Sequence, residues 1–531
     1  MIRIRRLSVQ FGTQPVLESL SLDLKPGKVM ALVGESGSGK SMTALAIMGL
    51  LPRAARVSGL VQLEESGPNL LGQPLLQAAA RRADLAMIFQ EPMSSLNPVM
   101  RIGKQAIEGL PGSPRQAMEQ MRRLFQDVQL PQPGAILRRY PHQLSGGQLQ
   151  RVMIAMALAK RPRLILADEP TTALDVEVQQ EILTLCRALI HTEQAERAML
   201  FISHDLNLVA QLADEIAVLY QGKLVEQGPA ARLLSQPTHP YTQGLLHARP
   251  RPASRPYRLQ TVADFGQPEA QPQPRADLNA RTNPAELLRI EGLHKAYGPV
   301  AALHDLCLTI HAGETLGLVG RSGCGKSTLA RILVGLEAAS AGGLYWQGQP
   351  VARPRPQYVQ MIFQDPSGSL NPRMKVGAAL MEVQRVHQRC GRAQAQAQAQ
   401  ARACQLLEQV GLPAEVFQRY PHQLSGGQCQ RVGIARALAL QPRLLICDES
   451  VAALDVSVQA QVLNLLNELK VACNLSLLFI SHDLAVVHYM SDRIAVMDGG
   501  RIVELQAADA LLARPQAPLT RRLLAHAFAS R

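Results

Sequence analysis

The chain lacks any run of about 18 uncharged apolar residues, the length that crosses a bilayer as a helix, so no part of it is expected to span a membrane. The opening Met1-Ile2-Arg3-Ile4-Arg5-Arg6 has neither an apolar core nor a cleavage site, and no leader is expected there. Cysteine is present but unpatterned. Cys186, Cys307, Cys324, Cys390, Cys404, Cys429, Cys447 and Cys473 show no CxxC spacing, and several sit in apolar runs such as Leu445-Ile446-Cys447. That argues against a disulfide framework and against a zinc site, and fits a reducing compartment. The net charge is +13, yet no block gathers the basic residues, so arginine-rich solvated faces account for it without a nucleic-acid partner.

What is present comes in pairs. Gly34-Glu35-Ser36-Gly37-Ser38-Gly39-Lys40-Ser41 and Gly320-Arg321-Ser322-Gly323-Cys324-Gly325-Lys326-Ser327 each follow a short apolar run and precede a helical pattern, which starts at Met42 and at Thr328. Such a strand, glycine-rich loop and helix cradle phosphates on backbone N–H groups. Lys40 and Lys326 are then placed to reach the β- and γ-phosphates, and Ser41 and Ser327 to offer a hydroxyl to Mg²⁺. Later motifs recur in the same order at nearly constant spacing. Met87-Ile88-Phe89-Gln90 is matched by Met361-Ile362-Phe363-Gln364, and Leu144-Ser145-Gly146-Gly147-Gln148 by Leu424-Ser425-Gly426-Gly427-Gln428. The strands ending in Asp168-Glu169 and Asp448-Glu449, the Ala173-Leu174-Asp175 and Ala453-Leu454-Asp455 loops, and Ser203-His204-Asp205 and Ser481-His482-Asp483 complete the set. A duplicated unit is the simplest origin. At 531 residues the chain is long for one core, and the expected domains are 1–250 and 286–531, with a Pro-rich linker over 251–285. The tract Ala393–Ala401, alternating Ala and Gln, is expected as an exposed helix within the second copy.

Each motif carries chemistry. An apolar strand ending in Asp-Glu puts two carboxylates at the mouth of a parallel sheet. Asp168 and Asp448 are expected to assist Mg²⁺, and Glu169 and Glu449 to act as general bases on the attacking water. Gln90 and Gln364 offer an amide to the metal or the water, and His204 and His482 can hydrogen-bond the terminal phosphate. The Leu-Ser-Gly-Gly-Gln segments combine a hydroxyl, permissive glycines and a helix start, which makes a second anion site.

Together these motifs resemble the nucleotide-binding domains of ABC transporters, over nearly the whole chain and twice. The resemblance implies an α/β fold of two tandem P-loop NTPase domains, each with a RecA-like core, an antiparallel β subdomain and a helical subdomain. It implies ATP and Mg²⁺ as ligands, and intramolecular pairing in which Lys40, Ser41, Gln90, Asp168, Glu169 and His204 are completed by Ser425, Gly426, Gly427 and Gln428. The other site then uses Lys326, Ser327, Thr328, Gln364, Asp448, Glu449 and His482 with Ser145, Gly146, Gly147 and Gln148. Phe11 and Tyr297 occupy the places of the family's adenine-stacking aromatics. A narrower resemblance rests on Gln90-Glu91-Pro92-Met93-Ser94-Ser95-Leu96-Asn97-Pro98, on Gln364–Pro372 and on Pro237-Thr238-His239-Pro240-Tyr241-Thr242. These segments are similar to the dipeptide, oligopeptide and nickel importers, and the fused arrangement to the oligopeptide importers that also admit microcin C. Two permease subunits, an external substrate-binding protein and a place on the inner face of the plasma membrane are implied. Nickel or a metal chelate is the alternative cargo.

Two departures qualify the resemblance. Many relatives carry a cysteine cluster after the His-Pro-Tyr-Thr segment, but no cysteine lies between Cys186 and Cys307 or after Cys473, so no iron–sulfur cluster is expected. The second copy reads Asp448-Glu449-Ser450-Val451 where the first has Asp168-Glu169-Pro170-Thr171. Both keep their acids, and two hydrolytic sites are expected. A soluble tandem ATPase acting on ribosomes or nucleic acid would be expected to bring a charged helical arm or zinc spacing, which this sequence lacks.

Overall fold

The computed structural model describes residues 2–64, 67–71, 84–171, 174, 176–191, 197–248, 250, 255–264, 285–366, 368–387, 392–451 and 454–527. Of the motif residues named above, Ala173, Asp175, Ser367 and Ala453 lie outside them, as does most of 251–285. The chain divides into two compact units, one from Met1–Leu246 and Val262–Gly266, the other from His247–Thr261 and Gln267–Ala529.

In the first unit the strands are β1 (Ile2–Phe11), β2 (Gln14–Leu24), β3 (Val29–Val33), β4 (Ala55–Gln62), β5 (Leu85–Ile88), β6 (Leu164–Asp168), β7 (Ala198–Ile202), β8 (Glu215–Tyr220) and β9 (Lys223–Pro229). They form an antiparallel sheet β2-β1-β4 and a six-stranded sheet β5-β6-β7-β3-β8-β9. The two sheets are written differently in the sequence. β1 alternates buried and half-buried residues, as a sheet with one covered face does, whereas β3, β6 and β7 are buried at every position. Continuous apolar runs of that kind belong to parallel strands covered on both faces, and β5, β6, β7, β3 and β8 do run parallel. Between β5 and β6 the chain makes a helical layer whose longest members are Pro114–Asp127 and Gly146–Leu158.

The second unit repeats the plan with β10 (Glu286–Tyr297), β11 (Val300–His311), β12 (Thr315–Gly320), β13 (Ala341–Trp346), β14 (Gln349–Val351), β15 (Val359–Ile362), β16 (Leu444–Asp448), β17 (Ser476–Ile480), β18 (Arg493–Asp498) and β19 (Arg501–Ala507). Its sheets run β11-β10-β13-β14 and β15-β16-β17-β12-β18-β19. The Ala/Gln tract is helical within Arg392–Gln409, as its composition suggests. It is not simply exposed: Ala399 is buried, and just beyond the tract Ala403, Leu406 and Leu407 join the core. Alanine offers too little side chain to register as an apolar stripe, yet it lets a helix approach closely.

Part of the segment read as linker also packs on the second unit. Asn464 Nδ2 donates to the Leu259 carbonyl at 2.9 Å and its Oδ1 accepts from the Leu259 N–H at 2.8 Å. The Tyr489 hydroxyl donates to the Tyr257 carbonyl at 3.1 Å, and Arg255 pairs with Asp509 at 3.3 Å. Three of these four contacts use the segment's backbone, which is why no side-chain periodicity announced them.

Among the described residues no helix is long and apolar enough to cross a membrane. Cys186, Cys324, Cys429 and Cys447 are buried, while Cys307, Cys404 and Cys473 are exposed. Burial pushes the Cys186 and Cys447 thiols up to about 12.

Candidate functional site

The strand order places the motifs side by side. β5, β6, β7 and β3 are neighbours pointing the same way, so Gln90, Asp168 with Glu169, His204 and the glycine loop all leave the sheet at its carboxyl edge, where such folds bind ligands. The loop turns into the helix Lys40–Met48 through Gly39, whose φ of 102° lies in the left-handed region. Lys40 Nζ reaches back to donate to the carbonyls of Gly34 at 2.8 Å and Glu35 at 2.7 Å, holding the loop closed. The Ser41 hydroxyl donates to Asp168 Oδ1 at 3.0 Å. Burial raises the Asp168 pKa and the charge of Glu169 adds to the rise, while the Ser41 bond and Lys40 oppose it.

Glu169 is held by its backbone. Its N–H donates to the Ile202 carbonyl at 3.0 Å and its φ is 46°, a left-handed conformation uncommon outside glycine. This turns the carboxylate sideways along the sheet edge, between two partners. Gln90 Nε2 donates to Oε2 at 2.9 Å, and His204 Nδ1 lies 3.0 Å from Oε1. Burial, the largest single effect on His204, lowers its pKa, but the Glu169 bond and charge together with Asp205 outweigh it and the pKa is raised.

The second unit repeats the arrangement with measurable differences. Lys326 Nζ donates to Gly320 O at 2.8 Å and Arg321 O at 2.9 Å, and Ser327 Oγ to Asp448 Oδ1 at 3.3 Å. Gln364 Nε2 donates to Glu449 Oε2 at 2.7 Å, and Glu449 again has φ 46°. His482 Nδ1 stands 3.7 Å from Glu449 Oε1, an ion-pair contact where the first unit has a hydrogen bond. His482 nonetheless holds the Glu449 carboxyl below its usual 4.5, and Glu449 raises His482 above its usual 6.5 against the opposing effect of burial. The Glu449 contribution is present above pH 4.5 and lost as pH falls through its lowered value; the His482 contribution is present below pH 6.5 and lost as pH rises through its raised one. Nucleotide-free protein should therefore lose melting temperature as pH climbs from 6.5, and His204→Gln with His482→Gln should flatten that alkaline decline by a few degrees. An unchanged slope in scans of the double variant would remove these pairs as its source.

The remaining expected residues fall into two groups. Ser145 and Ser425 are the N-caps of Gly146–Leu158 and Gly426–Leu438, and each forms a capping box with Gln148 or Gln428. The Gln148 and Gln428 carboxamide oxygens thus accept from the serine N–H at 3.2 and 3.1 Å. These motifs are spent on starting a helix, and Gly146, Gly147, Gly426 and Gly427 open its first turn; the structure does not join them to the loop, Asp-Glu and His cluster of their own unit. Phe11, at the end of β1, is half-buried against the core. Tyr297, at the end of β10, is exposed, hydrogen-bonded to Glu337 and 4.9 Å from the Lys295 ammonium. Within the loops, Ser36, Gly37, Ser38, Ser322, Gly323 and Cys324 line the turn between the sheet edge and the helix, with Ser38 and Cys324 buried. Asp455 caps the helix Val456–Ala472.

Two contributions escaped sequence reasoning. Thr43 Oγ1 donates to the Gly39 carbonyl at 2.9 Å and fastens the loop to its helix. The Tyr241 hydroxyl accepts from the Glu35 N–H at 2.9 Å. The His-Pro-Tyr-Thr segment was visible as a family marker, but nothing local to it pointed at a loop some 200 residues earlier.

Comparison with known proteins agrees with this geometry. The ABC transporter family model matches residues 17–172 and again 303–452, and the model for the oligopeptide/dipeptide transporter C-terminal region matches 225–273. The glutathione import ATP-binding protein GsiA of Salmonella typhimurium is 42% identical over 96% of this chain and 86% of its own length. Its counterpart in Pectobacterium atrosepticum is 41% identical over 99% of this chain and 89% of its own. Among solved structures, RNase-L Inhibitor superposes with a TM-score of 0.62 at 20% identity, covering 98% of this chain and 93% of that one, which speaks for the fold alone. The chain belongs to the ABC transporter family, as an ATP-binding protein with two fused nucleotide-binding domains in the oligopeptide/dipeptide branch.

Proposed function

We propose that this chain is the ATPase of an importer for peptide-like cargo, glutathione-sized peptides included, working on the inner face of the plasma membrane with two permease subunits and an external binding protein. The observation that carries it is the Gln–Glu–His row beside a Ser–Asp pair, built twice at equivalent sheet edges. The relatives named for glutathione import, and the match to the oligopeptide/dipeptide region, support the peptide-like cargo.

In this reading Lys40 and Lys326 exchange their loop carbonyls for the β- and γ-phosphates, while loop N–H groups and the helix start hold the remaining charge. Ser41 with Asp168, and Ser327 with Asp448, give hydroxyl and carboxylate oxygens within 3.3 Å of each other; Gln90 and Gln364 add an amide oxygen. This all-oxygen set, with its buried acid, suits Mg²⁺, which keeps several waters and takes few protein ligands. Bound there with ATP, Mg²⁺ would neutralise charge on the phosphates. Glu169 and Glu449 take a proton from the attacking water, oriented by the glutamine and histidine on either side.

The test is reconstitution of the full chain with a pair of candidate permease subunits from the same organism. ATP hydrolysis should rise when a binding protein loaded with glutathione or a short peptide is added. Hydrolysis that responds only to a nickel chelate would reassign the cargo, and hydrolysis that responds to RNA without any permease would reject the transport role.

A further inference from the structure

We propose that Tyr241 is a positioning residue that holds the phosphate loop of the first unit through its hydroxyl, a contact that Leu519, its counterpart in the second unit, has no hydroxyl to make. This rests on the reading that both loops bind ATP. Glu35 is pinned on both sides: its N–H donates to the Tyr241 hydroxyl at 2.9 Å and its carbonyl accepts from Lys40 Nζ at 2.7 Å. Tyr241 is 4% exposed and its ring lies on that of Tyr220, centroids 4.1 Å apart. The hydroxyl therefore has a fixed place.

What fixes it is the segment that marks the subfamily. Glu226 on β9 accepts from the Thr238 N–H and hydroxyl, both at 2.8 Å, and from the His239 N–H at 3.2 Å. His239 Nδ1 in turn accepts from the Tyr241 N–H at 3.2 Å, and Pro240 opens the helix Pro240–His247. Thr238, His239 and Pro240 thus fix where the tyrosine stands.

The second unit has the same scaffold without the tip. Glu504 on β19 accepts from the Gln516 and Ala517 N–H groups at 2.8 and 2.9 Å and from the Thr520 hydroxyl, and Pro518 opens the helix Pro518–Ala527. Leu519, 3% exposed, stands where Tyr241 does, and Asp498 ends β18 where Tyr220 ends β8. A leucine cannot accept a hydrogen bond. The carbonyl of Arg321, the counterpart of Glu35, accepts from Lys326 Nζ at 2.9 Å.

A loop already in its bound shape loses less freedom when ligand arrives, and one neutral hydrogen bond amounts to roughly 3- to 10-fold in affinity. The test uses the full chain in two backgrounds, Lys326→Ala to silence the second site and Lys40→Ala to silence the first, with Mg-ATP titrated by calorimetry. Tyr241→Phe, which keeps the ring on Tyr220, should weaken ATP by about 3- to 10-fold in the Lys326→Ala background and leave the Lys40→Ala background unaltered. In steady state the change should fall on KM and not on kcat, a split that a loss of packing alone would not give. Equal affinities with Phe and Tyr in the Lys326→Ala background, or equal weakening in both backgrounds, would overturn the role of Tyr241 while leaving the ATPase intact. If neither parent background bound ATP, the ATPase reading would fall, and this inference with it.

Discussion

Replacing Glu169 and Glu449 together by glutamine is expected to slow ATP turnover by about 10²–10⁴-fold, the usual worth of a positioned base, while ATP binding persists. Glutamine has the shape of glutamate and can keep the backbone bonds to Ile202 and Ile480 and the left-handed φ of 46°. Its carboxamide oxygen can still accept from Gln90 or Gln364. What it cannot do is take a proton. The loop, Lys40, Lys326, Ser41 and Ser327 are untouched, so nucleotide should load and stay. Phosphate release gives the rate and nucleotide retained after rapid desalting gives the occupancy; turnover within twofold of the parent would remove both glutamates from the chemical step.

Gly325→Ala should abolish tight ATP binding at the second site, with Gly39→Ala doing the same, less severely, at the first. Both residues sit at the turn into the helix, with φ of 106° and 102°, where an L-residue costs about 1–2 kcal/mol. The space differs more than the angle. A Cβ at Gly325 would come within 2.5 Å of the Ala302 carbonyl oxygen and 2.9 Å of both Leu303 Cδ2 and Met497 Cε, whereas at Gly39 the nearest atom is the Val16 carbonyl oxygen at 2.9 Å. Backbone oxygens of a strand cannot step aside, so the loop must, and its N–H groups then turn away from the phosphates. We expect affinity to drop by at least tenfold, roughly 1.4 kcal/mol, for Gly39→Ala and further for Gly325→Ala. Gly433→Ala, inside the helix Gly426–Leu438 with nothing within 4 Å of its new carbon, serves as control and should leave ATP affinity alone. Calorimetric titration reads all three; equal losses at Gly39 and Gly325 would contradict the ranking.

Much of this architecture was legible in the sequence, and the reason is local. Strand, loop and helix around Gly34 and Gly320 are consecutive, and strands buried on both faces announce themselves as unbroken apolar runs, so the order of motifs implied the sheet edge where they meet. The duplication added a second reading of every motif. What stayed hidden depends on distant pieces. The Tyr241–Glu35 bond joins residues 206 positions apart, and no pattern around either one encodes it. The 3.0 Å and 3.7 Å histidine contacts come from identical Ser-His-Asp triplets. The resemblance implies a ligand role for Gln148 and Gln428, and the structure adds that their carboxamides close capping boxes with Ser145 and Ser425. Residues 255–261 looked like spacer because their anchors are main-chain atoms held by Asn464 and Tyr489.

The distribution of thiols gives the molecule an inherent polarity for experiment. Cys186 is the first unit's cysteine and is buried, whereas Cys307, Cys404 and Cys473, all in the second, reach solvent. Maleimide or spin-label chemistry, which needs an accessible thiolate, will decorate only the carboxyl-terminal half of the unaltered chain. Any distance or quenching signal then reports on that half, and a single cysteine placed elsewhere supplies its counterpart.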